Sequence, residues 1–213
     1  MNARRWVSLM DANQSRPQGC KLGLRLMAAG WAVAAWLAAV PAVAQDATRS
    51  IITTIDLKTC TVLRKGVDGS AWRCVGLPGY PVYVADGDDR FFLSVGKAAE
   101  KRRAGQQTLK AFNTLFPAAT TRATIEWRVP NVHKRAPPYA TIVRYYTSSE
   151  TLKGQVLVIS KVTPEQTCHV AMIDAEANPD AIERARVVAD TVAKQFDCTK
   201  PPTVEGTAGK SPM

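Results

Sequence analysis

The chain has 213 residues, with 28 lysines and arginines against 18 acidic residues, two histidines and five cysteines. That length carries one domain with a real core and is too short for two comfortable ones. The basic excess predicts mild attraction to polyanions such as lipid headgroups or cell-wall polymers, and it says nothing about fold.

The N-terminal stretch has the layout of an export signal. Arg4, Arg5, Arg16, Lys21 and Arg25 stand against a single acid, Asp11, and precede an uncharged apolar run from Leu26 to Val40 that Pro41 ends. Ala42-Val43-Ala44 then offers small side chains at a cleavage site, which predicts a signal peptide over residues 1–44 and a mature protein starting at Gln45. Fifteen helical residues reach roughly 22 Å, short of a hydrocarbon core of roughly 30 Å. An uncleaved anchor extended through Ala44 is the alternative. Arg4-Arg5 stands too far from the apolar run for twin-arginine export, and Cys20 precedes that run, so it goes with the leader. From Gln45 on, 23 basic residues face 17 acidic ones. The expected location is the periplasm or the exterior, with no nucleic-acid partner and no stable transmembrane segment after cleavage.

Four cysteines remain after residue 44, and an oxidising compartment pairs them. Cys60 and Cys74 flank a turn-like Lys65-Gly66-Val67-Asp68-Gly69-Ser70 segment; Cys168 opens a strand and Cys198 follows the last helix. Of three possible pairings, Cys60–Cys74 and Cys168–Cys198 are expected, each stabilising by about 3–4 kcal/mol through the unfolded state. No C-x-x-C spacing points to redox or zinc chemistry.

In chain order, Ile51 to Leu57 and Ala71 to Val75 are strand-like. Gly76-Leu77-Pro78-Gly79-Tyr80-Pro81 excludes helix and forces a turn or corner. Val82 to Val84 and Arg90 to Val95 flank Asp86-Gly87-Asp88-Asp89, a hairpin signal. The charged stretch from Gly96 to Gly105 is expected to be solvated. Leu109, Phe112, Leu115 and Phe116 fall on one helical face, predicting a short helix or loop that Pro117 stops.

Four strands then form an antiparallel meander: Ala123 to Val129, Tyr139 to Thr147, Gln155 to Val162 and Cys168 to Asp174. In the first, Ile125, Trp127 and Val129 alternate with Glu126 and Arg128, predicting one buried and one wet face. The third is apolar on both faces and is expected at the sheet centre. A closing helix follows, with Asn178 as N-cap, Pro179 at the first helical position, and Ile182, Ala185, Ala189, Val192 and Phe196 as its packing face. Glu183 with Arg186, and Asp190 with Lys194, are expected to pair on its outer side. Residues 199–213 lack apolar periodicity and read as a disordered tail. The fold class is therefore α+β: a mainly antiparallel meander over 45–198 with a C-terminal helix packed on it and two disulfides.

No Gly-rich phosphate loop, His-Glu-x-x-His or Gly-x-Ser-x-Gly occurs, and no catalytic residue, cofactor or metal is predicted. His169 on a strand and His133 in a basic loop are the two candidate bases. Asp86-Gly87-Asp88-Asp89 lacks the glycine and glutamate of a calcium-binding EF-hand loop. Lys97, Lys101, Arg102, Arg103, Lys134 and Arg135 are candidates for an anionic partner. Tyr80, Tyr83, Arg90, Trp127 and Arg144 are candidates for a ligand groove, near Tyr139, Tyr145 and Tyr146.

Along Trp72-Arg73-Cys74-Val75-Gly76-Leu77-Pro78-Gly79-Tyr80-Pro81-Val82-Tyr83 the chain resembles a family of small exported, periplasmic proteins of α-proteobacteria, a likeness that runs from about Thr54 to Cys198. The resemblance implies the exported location and no activity. The leading expectation is a non-catalytic, envelope-associated binding or accessory protein, its partner an anionic envelope component or another periplasmic protein. An envelope-directed hydrolase and a secreted enzyme inhibitor are the alternatives. A cleft with a converging Ser or Thr, His169 and a carboxylate would favour the hydrolase.

Overall fold

The computed structural model describes residues 48–213; the expected signal peptide and its cleavage site lie outside them. The strands run β1 (Thr48–Asp56), β2 (Thr61–Gly66), β3 (Gly69–Leu77), β4 (Tyr80–Gly87), β5 (Arg90–Val95), β6 (Phe112–Thr114), β7 (Arg122–Pro130), β8 (Ala140–Ser148), β9 (Lys153–Val162), β10 (Thr167–Asp174) and β11 (Thr203–Val204), with the helix α1 (Ala181–Thr191) between the last two. β2 to β5 form one four-stranded sheet in sequential order. The rest form a seven-stranded sheet in the order β1, β7, β8, β9, β10, β11, with β6 paired to β8 beyond the end of β7. The α+β class, the antiparallel β7 to β10 meander and both disulfides, Cys60–Cys74 and Cys168–Cys198, are as the residue pattern predicts.

Turn chemistry sets the hairpins. Gly87 pairs with Arg90, so the β4–β5 turn is Asp88-Asp89, both at positive φ (51° and 56°), as a type I′ turn requires. The hairpin signal was right, but the turn lies two positions past the Asp-Gly pair. Pro78-Gly79, with Gly79 at φ 84°, supplies a type II turn between β3 and β4.

The seven-stranded sheet is covered on both faces. On one, Ile125, Trp127, Val143, Val156 and Val158 interlock with Val82, Val84, Leu93 and Val95 of the smaller sheet. On the other, Ile142, Leu157, Ile159 and Ile173 meet Ala181, Ala185, Val188 and Ala189 of α1. β9 is interior and apolar on both faces, as its sequence predicts.

Five local expectations are corrected. The second face of β7 is not wet: Glu126 and Arg128 are 6 % and 7 % exposed, because α1 lies over them. Arg128 grips Asp190 with two hydrogen bonds (2.9 and 2.6 Å), and Arg186 grips Glu126 (2.7 and 3.2 Å), so Asp190 pairs inward to the sheet and not with Lys194. Glu183 does approach Arg186, at 3.9 Å. Tyr139 and Thr48 also donate to Asp190, and Ser50 donates to Glu126. Burial alone would raise both carboxyl pKa values; these hydrogen bonds outweigh it and hold them below the ordinary range.

The segment expected as a short helix or loop carries the short strand β6 instead. Leu109, Leu115 and Phe116 are buried while Phe112 stands 47 % exposed, since pairing to β8 outweighs a marginal one-turn helix.

Asn178 does not cap α1; Asp180 occupies that position. Asn178 instead holds the C-terminal segment, donating to Thr207 O at 2.7 Å and accepting from Thr207 N at 3.0 Å. Residues 199–213 accordingly form a strap and not a disordered tail. β11 adds a parallel pair to β10, and buried Asp174 accepts hydrogen bonds from the Lys210 and Ser211 amides and from Ser211 Oγ (2.8, 2.8 and 2.6 Å). The strap shows no apolar periodicity because hydrogen bonds, with Met213 against the core, hold it.

Candidate functional site

Antiparallel topology gives the molecule two ends. The β7–β8 and β9–β10 turns share one end of the large sheet, and the β8–β9 turn lies at the other. The candidate residues distribute between them.

At the first end, Lys97, Lys101 and Arg103 line a cleft of about 490 Å³ together with the β9–β10 turn. All three are exposed, and among the described residues none forms an ion pair. Glu165 is the one acid in the cleft lining. Arg102 differs. It is 8 % exposed, and its guanidinium donates to Lys97 O, Thr163 O and Pro164 O at 2.6–2.9 Å and to Thr167 Oγ1 at 3.2 Å. It therefore pins the 97–103 segment to the β9–β10 turn and is not free for an anionic partner, which corrects its place among the candidates. Gly96 lets this happen: a Cβ there would fall 2.8 Å from the Arg102 guanidinium.

Lys134 and Arg135 lie in the β7–β8 loop at the same end, both exposed, with Arg49 donating to Lys134 O at 3.0 Å to tie the loop to β1. His133 beside them is exposed, and Val132 is 67 % exposed.

The expected aromatic and arginine groove does not assemble. Trp127 is fully buried between the sheets, donating Nε1–H to Thr53 Oγ1 at 2.8 Å with Tyr80 edge-on at 6.4 Å. Tyr83 lies over the smaller sheet near Arg73 and Lys97. Arg144 donates to Gln155 Oε1 at 2.8 Å on the other sheet, and Arg90 donates to Lys110 O at 3.0 Å. Alternation along separate strands sends these side chains to different faces. Tyr145 is buried, which raises its pKa, and Tyr139 belongs to the α1 network, where burial and its bond to Asp190 push its pKa up to about 12.

His169 is buried on β10, its backbone N–H donating to Gln107 Oε1 at 2.9 Å; burial pulls its pKa down to about 4 and keeps the ring neutral. Among the described residues, the cleft beside it is lined by neither a carboxylate nor a serine, and Thr108 Oγ1 donates to Phe91 O. The triad that the hydrolase alternative needs is therefore not gathered around His169.

A further cleft lies at the second end and is not among the sequence-based candidates. A cleft of about 780 Å³ opens between the β4–β5 turn, β6 and the β8–β9 end, walled by Phe91, Phe112, Phe116 and Tyr146. Phe91 and Phe116 meet edge-on at 5.3 Å. Asn113 builds its floor: its side chain accepts from Phe91 N and donates to Ala111 O, and its N–H donates to Asp89 O. The signal in sequence is Phe112 and Phe116 followed by Pro117, which reads there as the buried side of a short helix or loop.

Compared with known protein families, curated proteins and solved structures, the chain gives no match.

Proposed function

We propose that this chain is an exported, non-catalytic envelope protein that docks by its basic end onto an anionic lipid surface. The observation that carries the reading is that Lys97, Lys101 and Arg103 share one cleft, and Lys134, Arg135 and exposed Val132 lie in the β7–β8 loop at the same end of the sheet, all five cations without ion pairs among the described residues. Unpaired cations with an exposed aliphatic side chain suit a phosphate-bearing membrane surface, where each lysine or arginine contributes about 1 kcal/mol. The two disulfides are consistent with export into an oxidising compartment. Among the described residues no helix is long and apolar enough to cross a membrane, so attachment would be peripheral.

Cosedimentation with phosphatidylglycerol-containing and pure phosphatidylcholine vesicles tests this. Binding is expected on the anionic vesicles only, weakening as salt shortens the Debye length. The K97A/K101A/R103A variant should bind roughly 100-fold more weakly. Equal binding to both vesicle types, indifference to salt or to the triple substitution, or retention on peptidoglycan sacculi in place of vesicles would overturn the proposal.

A further inference from the structure

The cleft at the second end has a chemistry opposite to that of the basic end. Its walls are four aromatic rings, one of which, Phe112, is half in water although nothing in the fold requires a phenylalanine there. Its size falls within the range of small-molecule sites. On its lining, Thr147 is 3 % exposed, and its Oγ1 has no hydrogen-bond partner among the described residues.

The charges decide the ligand class. Asp89 and Glu176 contribute two carboxylates to the lining against one cation, Lys153. Neither carboxylate forms an ion pair among the described residues, and Glu176 only accepts from Gln155 Nε2 at 2.7 Å. This local acidity stands out in a chain whose residues from Gln45 on are net basic. Aromatic faces carry negative quadrupole potential and attract cations. The Phe112 ring already holds the Arg90 guanidinium carbon 5.6 Å from its centre. An anion would face both carboxylates and the ring faces together, whereas a cation with an apolar body would suit the rings and both carboxylates, with Lys153 alone opposing it.

We propose that this cleft binds a small apolar organic cation, a quaternary ammonium or protonated amine on an aryl or alkyl body, with Asp89 and Glu176 as its counter-charges and Phe112 as the principal ring. The site is independent of the basic end, and either proposal can fail alone.

Calorimetric titration of the exported, disulfide-intact chain with three probes of one body tests it: phenylbutyltrimethylammonium, phenylbutanol and phenylbutanesulfonate. The ammonium should bind best, the alcohol more weakly, and the sulfonate not measurably. The D89N/E176Q variant should lower ammonium affinity about tenfold and leave the alcohol unchanged. These substitutions are conservative, since asparagine tolerates the positive φ of the turn and glutamine keeps an acceptor for Gln155. F112A, at an exposed position, should weaken both the ammonium and the alcohol, and thermal melts should show all variants folded. Sulfonate binding as tight as ammonium binding, no effect of D89N/E176Q on the ammonium, or heat from none of the probes would overturn the assignment. The K97A/K101A/R103A variant should titrate like the unmodified chain, which separates this outcome from that of vesicle binding.

Discussion

The two faces of the seven-stranded sheet are closed by different physics, and one strand displays both. On β7, Trp127 points into the sandwich among valines, isoleucines and leucines, while its neighbour Arg128 points under α1 and is held by Asp190. The sandwich face gains stability from apolar area removed from water, which is non-directional and tolerant of volume-conserving change. The helix face relies on alanines for close approach and on two arginine–carboxylate grips for registration, and such pairs are stable only while both partners are present. The helix is therefore placed by geometry-specific bonds, and the sandwich by bulk.

The largest expected effect tests the bulk side. W127A removes a fully buried indole and its bond to Thr53, and denaturant unfolding should show a loss of about 3–5 kcal/mol. On the polar side, R128M strands the Asp190 carboxylate and should cost about 2–3 kcal/mol. R128M/D190L should cost less than the sum of the two single variants in a double-mutant cycle. Additive losses would mean that the grip contributes nothing beyond packing. D174N places an amide donor against the Lys210 and Ser211 N–H groups; a loss of about 2 kcal/mol is expected, with faster hydrogen exchange at the Ser211 amide.

A pH dependence of similar size, about 3 kcal/mol at pH 4, separates the faces. His169 has a folded pKa near 4, below the unfolded value of about 6.5, so the unfolded chain takes up the proton first. Its contribution is complete above about pH 6.5 and is lost as pH falls toward 4. Thermal melts of H169F should stay flat across that window while the unmodified chain loses roughly 6–12 °C. Glu126, Asp190 and Asp174 have depressed folded pKa values, so their contribution is full above about pH 4 and is lost as pH falls further, in both proteins.

The parts legible in sequence were those written in local periodicity. Alternation located β7 to β10, and two faces of apolar residues put β9 in the interior. Cysteine spacing around a turn yielded both pairings, and glycine, proline and aspartate marked the hairpins. The basic cluster was visible as charge, except that Arg102 turned out to be buried. What stayed hidden needed partners distant in the chain. Glu126 and Arg128 look solvent-facing until α1 is laid over them, and Asn178 looks like a cap until Thr207 reaches it. The cleft between Phe91, Phe112 and Tyr146 joins three strands whose pairing no local pattern reveals.

By itself, the amino-acid sequence determined most of the long strands and the closing helix, which of their faces are apolar and which cysteines pair, because these follow from residue-level propensity and spacing over a few positions. Only the tertiary structure decided which charges are buried, that the C-terminal residues strap the sheet, and that an aromatic cleft opposes a basic end. Burial and hydrogen-bond satisfaction depend on residues brought together from up to 142 positions apart, and one-dimensional order carries no record of that distance.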